Sequence, residues 1–193
     1  VVQDKDSIQT LYKNSNAKNA SFAIPPIRDF DGNAISEDSV WFWPGDGYIE
    51  DGKLKIFYSE FAQVDTGMWG FKWLGTWLGS YSLPDIQEEE IIKIYDATVT
   101  HVHFGHAVHV DELYTYVYGA GKGKPHVARY NNGDVNNNWE YYTGNEWSAD
   151  PAMSAPMANI DGSEQFSVFQ HNEVYILITQ LGMLSPDIYA YTS

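Results

Sequence analysis

Cysteine is absent from this chain of 193 residues, and basic residues are few. Without cysteine the chain can form no disulfide scaffold, thiol nucleophile or thiolate zinc site. The 11 lysines and arginines stand against 26 aspartates and glutamates, and the net charge of −15 argues against nucleic acid and anionic membranes as partners. No apolar run approaches the roughly 18 residues of a membrane-spanning helix, so we expect no membrane insertion.

Helical patterns are also scarce. Residues 84–90 (PDIQEEE) are compatible with one helical turn or, as we favour, with a solvated acidic loop before a strand. Elsewhere apolar and polar residues alternate with period two between clusters of glycine, asparagine and aspartate, which predicts β-strands. Aromatic residues make up 16% of the chain, which suits β structure and also a surface that stacks on sugars.

A unit of short antiparallel strands recurs along the chain, at about residues 40–99, 100–147 and 162–193. The pair Asp51-Gly52 predicts a hairpin turn in the first unit. The third unit stops before a fourth strand. In the first unit we predict the two strands of a hairpin at 41–61, followed by strands at 75–83 and 91–99. In the second unit the predicted strands are 104–110, 113–119, 125–130 and 138–144, and in the third they are 164–170, 174–180 and 188–192.

This repetition predicts an all-β chain built as a β-propeller of four-stranded antiparallel blades. The second strands open at Leu54, Leu113 and Val174, which are about 60 residues apart. A β-sandwich would also have many short strands but would not repeat in this way. A propeller typically closes with four or more blades, so we expect this chain to be part of a larger domain. The first 35 residues would be the end of an earlier blade and a loop.

Several segments resemble bacterial five-bladed β-propellers of the glycosyl hydrolase and domain-of-unknown-function type, similar in fold to glycoside hydrolase family 43. The segments that carry this resemblance are Trp41–Asp51 (WFWPGDGYIED), Gly105–Tyr116, Trp139–Trp147, Glu164–Val168 and Asp187–Ser193. The resemblance implies five blades, a carbohydrate partner, no cofactor, a secreted, periplasmic or cell-surface location, and inverting hydrolysis of a glycosidic bond in the central funnel. Family 43 enzymes use an aspartate base, a glutamate acid and a second aspartate. By this resemblance their first blade, which carries the base, would precede Val1.

The first strand of each propeller blade lines the central channel, so residues distant in sequence converge there. Asp46 and Glu164 lie at two such strand starts. They could form the carboxyl pair of an inverting hydrolase, ~6.5–9.5 Å apart. Glu164 would be the acid, its pKa raised by an enclosed aromatic site, and Asp46 the base or a tuning residue. Alternatively, Asp46 is a turn residue beside two glycines and Glu164 accepts backbone hydrogen bonds.

Four histidines fall within nine residues: His101, His103, His106 and His109. Three neutral imidazoles on one face could bind zinc or iron, as in a metalloenzyme. Only the first two safely share a face, because Gly105 can introduce a bulge. We therefore predict no transition-metal site and place His106 in the channel, as a substrate contact or a ligand to a central water or cation. The other three would pack or hydrogen-bond between blades.

Trp43, Trp73 and Arg129 complete the predicted substrate-binding residues. The tryptophans belong to a tryptophan-rich window and either pack between blades or stack on sugar rings. Arg129 either forms a salt bridge with a neighbouring blade or holds a substrate carboxylate. The rival function is a non-catalytic glycan-binding or scaffold propeller, which the fold alone does not distinguish from an enzyme.

Overall fold

The structure is a computed structural model, and it describes residues 2–4, 7–9, 23, 40–182 and 185–193. In these residues there is no α-helix, and one 3₁₀ turn covers Pro151–Met153. No helix in this part of the chain is long and apolar enough to cross a membrane. The strands are β1 (Val2–Asp4), β2 (Ser7–Gln9), β3 (Val40–Glu50), β4 (Lys53–Gln63), β5 (Phe71–Ser82), β6 (Gln87–Asp96), β7 (His103–Val110), β8 (Tyr114–Gly121), β9 (Lys124–Asn131), β10 (Glu140–Tyr142), β11 (Trp147–Ser148), β12 (Phe166–His171), β13 (Val174–Gln180) and β14 (Ile188–Thr192).

The first large sheet is an antiparallel meander in the order β3-β4-β5-β6. Asp51 and Gly52 connect its first two strands with φ angles of 49° and 73°. A two-residue hairpin turn that matches the twist of its strands requires positive φ angles at both positions, and glycine and aspartate tolerate them. The four strands predicted in the first unit are therefore present. The acidic residues 88–90, however, lie in β6 and not in a loop before it, so that prediction was wrong.

The second sheet has five strands in the order β11-β10-β9-β8-β7, one more than predicted. Its additional strand, β11, is only two residues long and pairs with β10. The third sheet has the order β12-β13-β14, as predicted for the incomplete unit. Asn172 and Glu173 form its hairpin turn, with φ angles of 49° and 66°. All pairings in these sheets are antiparallel.

The three sheets pack face to face around two hydrophobic clusters. The cluster between the first and second sheets includes the fully buried Phe57, Phe104 and Tyr130. The cluster between the second and third sheets includes Phe166 and Leu177. Strand β7 contacts both β3 and β12, so the first strands of the three sheets are neighbours. This is the relation expected of the inner strands of adjacent propeller blades.

The sheets have four, five and three strands, and the described residues do not close into a ring. The all-β, antiparallel architecture is thus confirmed, whereas five blades remain a prediction. The predicted blade end and loop in residues 1–35 lie largely outside the described residues. The part of that segment that is described contains Ala23 and the two-stranded sheet of β1 and β2.

Candidate functional site

A cavity of about 560 Å³ opens where the first strands of the three sheets meet. It brings together Asp46, His106 and Glu164, each from a different sheet or its leading segment. The full lining is Pro44, Gly45, Asp46, His106, Glu164, Gln165, Phe166, Ser167, Ile178, Thr179, Gln180 and Ile188. Three residues that the sequence places far apart, and that were selected as candidates from it, therefore line one cavity.

Strand β3 brings Asp46 to this cavity through a β-bulge between Pro44 and Gly47. A Cβ atom at Gly45 would lie 2.0 Å from the carbonyl oxygen of Gly105, so β3 and β7 can approach this closely only with glycine at position 45. The bulge turns the next side chain towards the neighbouring sheet, which is a common use of bulges beside functional sites.

The Asp46 carboxylate connects the two strands. Its Oδ1 accepts a hydrogen bond from the backbone N–H of Gly47 at 2.8 Å, and its Oδ2 accepts one from the N–H of Val108 on β7, also at 2.8 Å. A carboxylate has about four acceptor positions, so each oxygen keeps capacity for a ligand. Asp46 thus has a structural role, consistent with the alternative noted for it, while remaining in the cavity wall.

A second bulge, between Phe104 and Ala107, directs His106 into the cavity. It contains Gly105 with φ at +111°, a conformation that glycine adopts readily. The His106 ring lies 5.7 Å from the Phe166 ring and nearly parallel to it. Burial lowers the pKa of His106 to about 4, and a hydrogen bond to the backbone of Glu164 acts in the opposite direction.

His106 is therefore neutral near pH 7, and a neutral imidazole has one donor and one acceptor nitrogen. Its Nε2 atom is buried and has no hydrogen-bond partner among the described residues. An unpaired buried polar atom costs free energy, and because Nε2 is not exposed to the cavity, this cost stands unless the site rearranges.

Glu164 precedes β12 and lines the same cavity, but its side chain is exposed. The described residues therefore do not provide the enclosed aromatic setting that we expected around this carboxyl group. Phe166, two residues further on, is buried, and its ring is stacked beside that of His106.

Trp73 lies outside the cavity lining. Its indole packs on the rings of His103 and Tyr95, with centroids 4.8 and 6.2 Å away, and its Nε1 donates a hydrogen bond to the carbonyl oxygen of Gly75 at 2.9 Å. These contacts correspond to the alternative in which the tryptophan packs between sheets.

Arg129 also lies outside the cavity lining and is held within its own sheet. Its Nε donates to Oε2 of Glu140 at 2.8 Å, and β9 and β10 pair these two residues directly. The guanidinium carbon lies 4.1 Å from the ring centroids of both Tyr114 and Trp147. The expected salt bridge therefore exists, but within one sheet and not between neighbouring blades. A substrate-binding role for Arg129 remains a prediction.

Trp43 lies on β3 next to Pro44 of the cavity wall, and the exposed fraction of Trp43 is 46%. Its ring packs on Phe61 and Phe71, with centroids 4.4 and 5.1 Å away. Trp43 therefore lies beside the cavity, at the edge of an aromatic cluster, and its exposed part remains available to a ligand.

Of the four clustered histidines only His103 and His106 contact each other, with ring centroids 4.5 Å apart. His103 is buried and hydrogen-bonds Ser59 of β4, whereas His101 packs against His126 and His109 against Tyr175 of β13. In the part of the chain that the structure describes, no three His, Cys, Asp or Glu side chains are grouped so that they could hold a metal ion. The histidine run is thus strand β7 with His101 just before it, and its side chains are spread over several neighbouring strands.

The sequence reasoning missed the contribution of the third sheet's second strand. Ile178, Thr179 and Gln180 line the cavity because β13 pairs antiparallel with β12, where Thr179 faces Phe166. The hairpin predicted between these strands contained this information, since the end of the second strand must lie beside the start of the first.

The sequence has no significant match among curated proteins. The family model described as "Domain of unknown function (DUF5005)" matches residues 1–193. A "putative hydrolase" from Bacteroides ovatus has a similar structure, with a TM-score of 0.68 and 21% identity over 94% of this chain and 52% of that chain.

Two enzymes of glycoside hydrolase family 43 also match. A β-xylosidase/α-arabinofuranosidase from a compost metagenome, solved with xylotriose, gives a TM-score of 0.51 and 13% identity over 72% of this chain and 42% of that chain. An enzyme from Xanthomonas citri gives a TM-score of 0.41 and 12% identity over 78% of this chain and 69% of that chain. The chain spans about half the length of the first two proteins. At 13% identity the likeness to the β-xylosidase/α-arabinofuranosidase shows a similar fold and no more.

Proposed function

The chain belongs to the DUF5005 family of domains of unknown function, and we propose that it forms part of a five-bladed β-propeller that hydrolyses a glycosidic bond with inversion. The observation that carries the proposal is the cavity in which Asp46, His106 and Glu164 meet from three separate sheets. The family 43-like fold supports it.

Two carboxyl groups would do the chemistry. In an inverting hydrolase one carboxylic acid protonates the leaving oxygen while a carboxylate activates water on the opposite face of the sugar. Asp46 is proposed as the base or as a residue that tunes the acid, since it is fixed by two backbone N–H groups and keeps free acceptor positions. Glu164 is proposed as the acid, since its exposed side chain lies at the cavity and can reach a ligand there.

The remaining cavity residues would bind the sugar. His106 and Phe166 both line the cavity, where a sugar ring would contact them. Trp43 is proposed as a further contact because it is next to the cavity wall. Trp73 and Arg129 stay predicted contacts, although the cavity lining does not include them.

We propose a pentose-containing glycan as the substrate, since a structural neighbour was solved with xylotriose. The net charge of −15 favours neutral over acidic glycans. A secreted, periplasmic or cell-surface location suits such a substrate.

The proposal is tested by assaying the full chain with aryl xylosides and arabinofuranosides, and with xylotriose, while the anomeric configuration of the product is followed by NMR. Asp46→Asn and Glu164→Gln should each lower kcat/KM by at least about 100-fold, as loss of a general acid or base does. Glu112→Gln, which changes an exposed carboxylate in a turn remote from the cavity, serves as the matched control. Hydrolysis that survives both cavity substitutions would contradict the assignment.

A non-catalytic glycan-binding module is the second candidate. It is favoured by the two backbone hydrogen bonds that already engage Asp46 and by the exposure of Glu164. This alternative predicts that wild-type protein binds xylotriose without turnover, and that Glu164→Gln leaves the affinity nearly unchanged.

A further inference from the structure

An exposed aromatic surface lies beside the cavity and is not part of its lining. We define it by Trp41, Trp43, Trp69 and Phe71. Trp69 and Trp43 are 65% and 46% exposed. Phe71 joins them, with its ring centroid 6.1 Å from that of Trp69, 5.1 Å from Trp43 and 5.8 Å from Trp41.

The loop that carries Trp69 is internally hydrogen-bonded. The backbone N–H groups of Val64 and Asp65 both donate to the carbonyl oxygen of Gly70, at 2.7 and 2.9 Å. The Gln63 side chain donates to the carbonyl oxygen of Gly67 at 3.1 Å. Trp69 is thus held in place before a ligand arrives, and such preorganisation lowers the entropic cost of binding.

The aromatic surface is connected to the cavity in two ways. Trp43 is followed directly by Pro44, which belongs to the cavity wall. In addition, ring contacts lead from Trp43 through Phe61 and His103 to His106, with successive centroids 4.4, 5.6 and 4.5 Å apart. Phe61 and His103 are buried, so the surface route passes Trp43 itself, and the next rings beyond it are those of Phe71 and Trp69.

The size and chemistry of this surface indicate the kind of partner. None of its four side chains is charged, which suits a neutral ligand. A large aromatic side chain buries ~150–250 Å² when it is fully covered. The two exposed indoles present flat apolar faces, and such faces stack on the apolar faces of sugar rings.

We infer that the protein binds a neutral polysaccharide chain that runs from the cavity across Trp43 to Trp69. The substrate would then be a polymer and not an isolated short oligosaccharide. This inference rests on the proposed function, since it extends the same site.

The test compares the affinities of a short and a long ligand, xylotriose and arabinoxylan, for the full chain by isothermal titration calorimetry and affinity electrophoresis. Trp69→Ala should weaken arabinoxylan binding about 5- to 10-fold and leave xylotriose binding unchanged. Trp69→Tyr should retain most of the affinity. Leu113→Ala removes a similarly exposed apolar side chain, 68% exposed, from a turn of another sheet and should change neither affinity.

The outcomes separate the two ideas. If Trp69→Ala binds arabinoxylan as wild type does, or weakens both ligands equally, the inference is wrong while the proposed function stands. If wild-type protein binds xylotriose and arabinoxylan with equal affinity, the inference is also wrong. If wild-type protein binds neither ligand, the pentose-glycan proposal itself fails, and the inference fails with it.

Discussion

Replacing Asp46 with alanine removes the carboxylate that joins β3 to β7. The Val108 N–H would lose its partner at a partly buried position between two sheets, and the Gly47 N–H would lose its partner at an exposed position. Because the second group can bond to water instead, most of the cost should come from the first.

Hydrogen bonds to charged groups contribute about 1.5–3 kcal/mol each, and an exposed local bond contributes less. We therefore expect Asp46→Ala to lower the free energy of unfolding by about 2–4 kcal/mol, which corresponds to a fall in Tm of roughly 5–15 °C for a chain of this size. Asp46→Asn should fall between wild type and alanine. Its amide keeps one acceptor oxygen but directs an NH₂ group at the other backbone N–H.

The measurement is urea and thermal unfolding followed by circular dichroism. Asp65→Ala is the matched control, because Asp65 also accepts a backbone hydrogen bond, from Thr66, but only within its own exposed loop. This control should change stability by no more than about 0.5 kcal/mol. If Asp46→Ala were as stable as the control variant, Asp46 would not hold the two sheets together, and its backbone contacts could not be used to argue for a structural role.

Other substitutions test the packing and titration of the site. Gly45→Ala should prevent folding or strongly destabilise the folded protein, since the new Cβ would lie 2.0 Å from a backbone oxygen. Gly67→Ala is the control and should be tolerated, because no atom lies nearer than 3.9 Å to its Cβ. Equal melting temperatures of the two variants would refute this. The pKa of His106 is about 4 in the folded state and ~6.5 in the unfolded state. The neutral ring therefore contributes to stability above pH 6.5, and this contribution is lost as pH falls towards 4. By pH 5 the free energy of unfolding should have decreased by on the order of 2 kcal/mol. His106→Gln should make the pH dependence of unfolding shallower without abolishing it, because burial also lowers the pKa values of His103 and His126. An unchanged slope would contradict this expectation. Tyr48→Phe breaks a buried 2.7 Å hydrogen bond to Tyr130 and should cost about 1–2 kcal/mol, with Tyr48→Phe/Tyr130→Phe costing less than the sum of the single changes in a double-mutant cycle.

Local patterns in the sequence were sufficient to predict most of the strands. Period-two alternation located the meanders, and Asp51-Gly52 predicted its turn because few residue pairs tolerate two positive φ angles in succession. The acidic residues 88–90 were misplaced, since a charged stretch is compatible with a loop or with an exposed strand such as β6. The two-residue strand β11 was missed because so short a segment has no periodicity.

For the candidate site, the sequence pointed to Asp46, His106 and Glu164 as neighbours because it assigned them to the first strands of the repeated units, although Asp46 lies in the middle of β3 and not at its start. Only the tertiary structure decided their surroundings. The two bulges and the contact of Gly45 with Gly105 set where Asp46 and His106 point, and sheet packing placed Trp73 and Arg129 away from the cavity. The reason is physical: alternation along a strand depends on neighbouring residues, whereas burial, exposure and hydrogen-bond partners depend on side chains from other sheets that are distant in the chain.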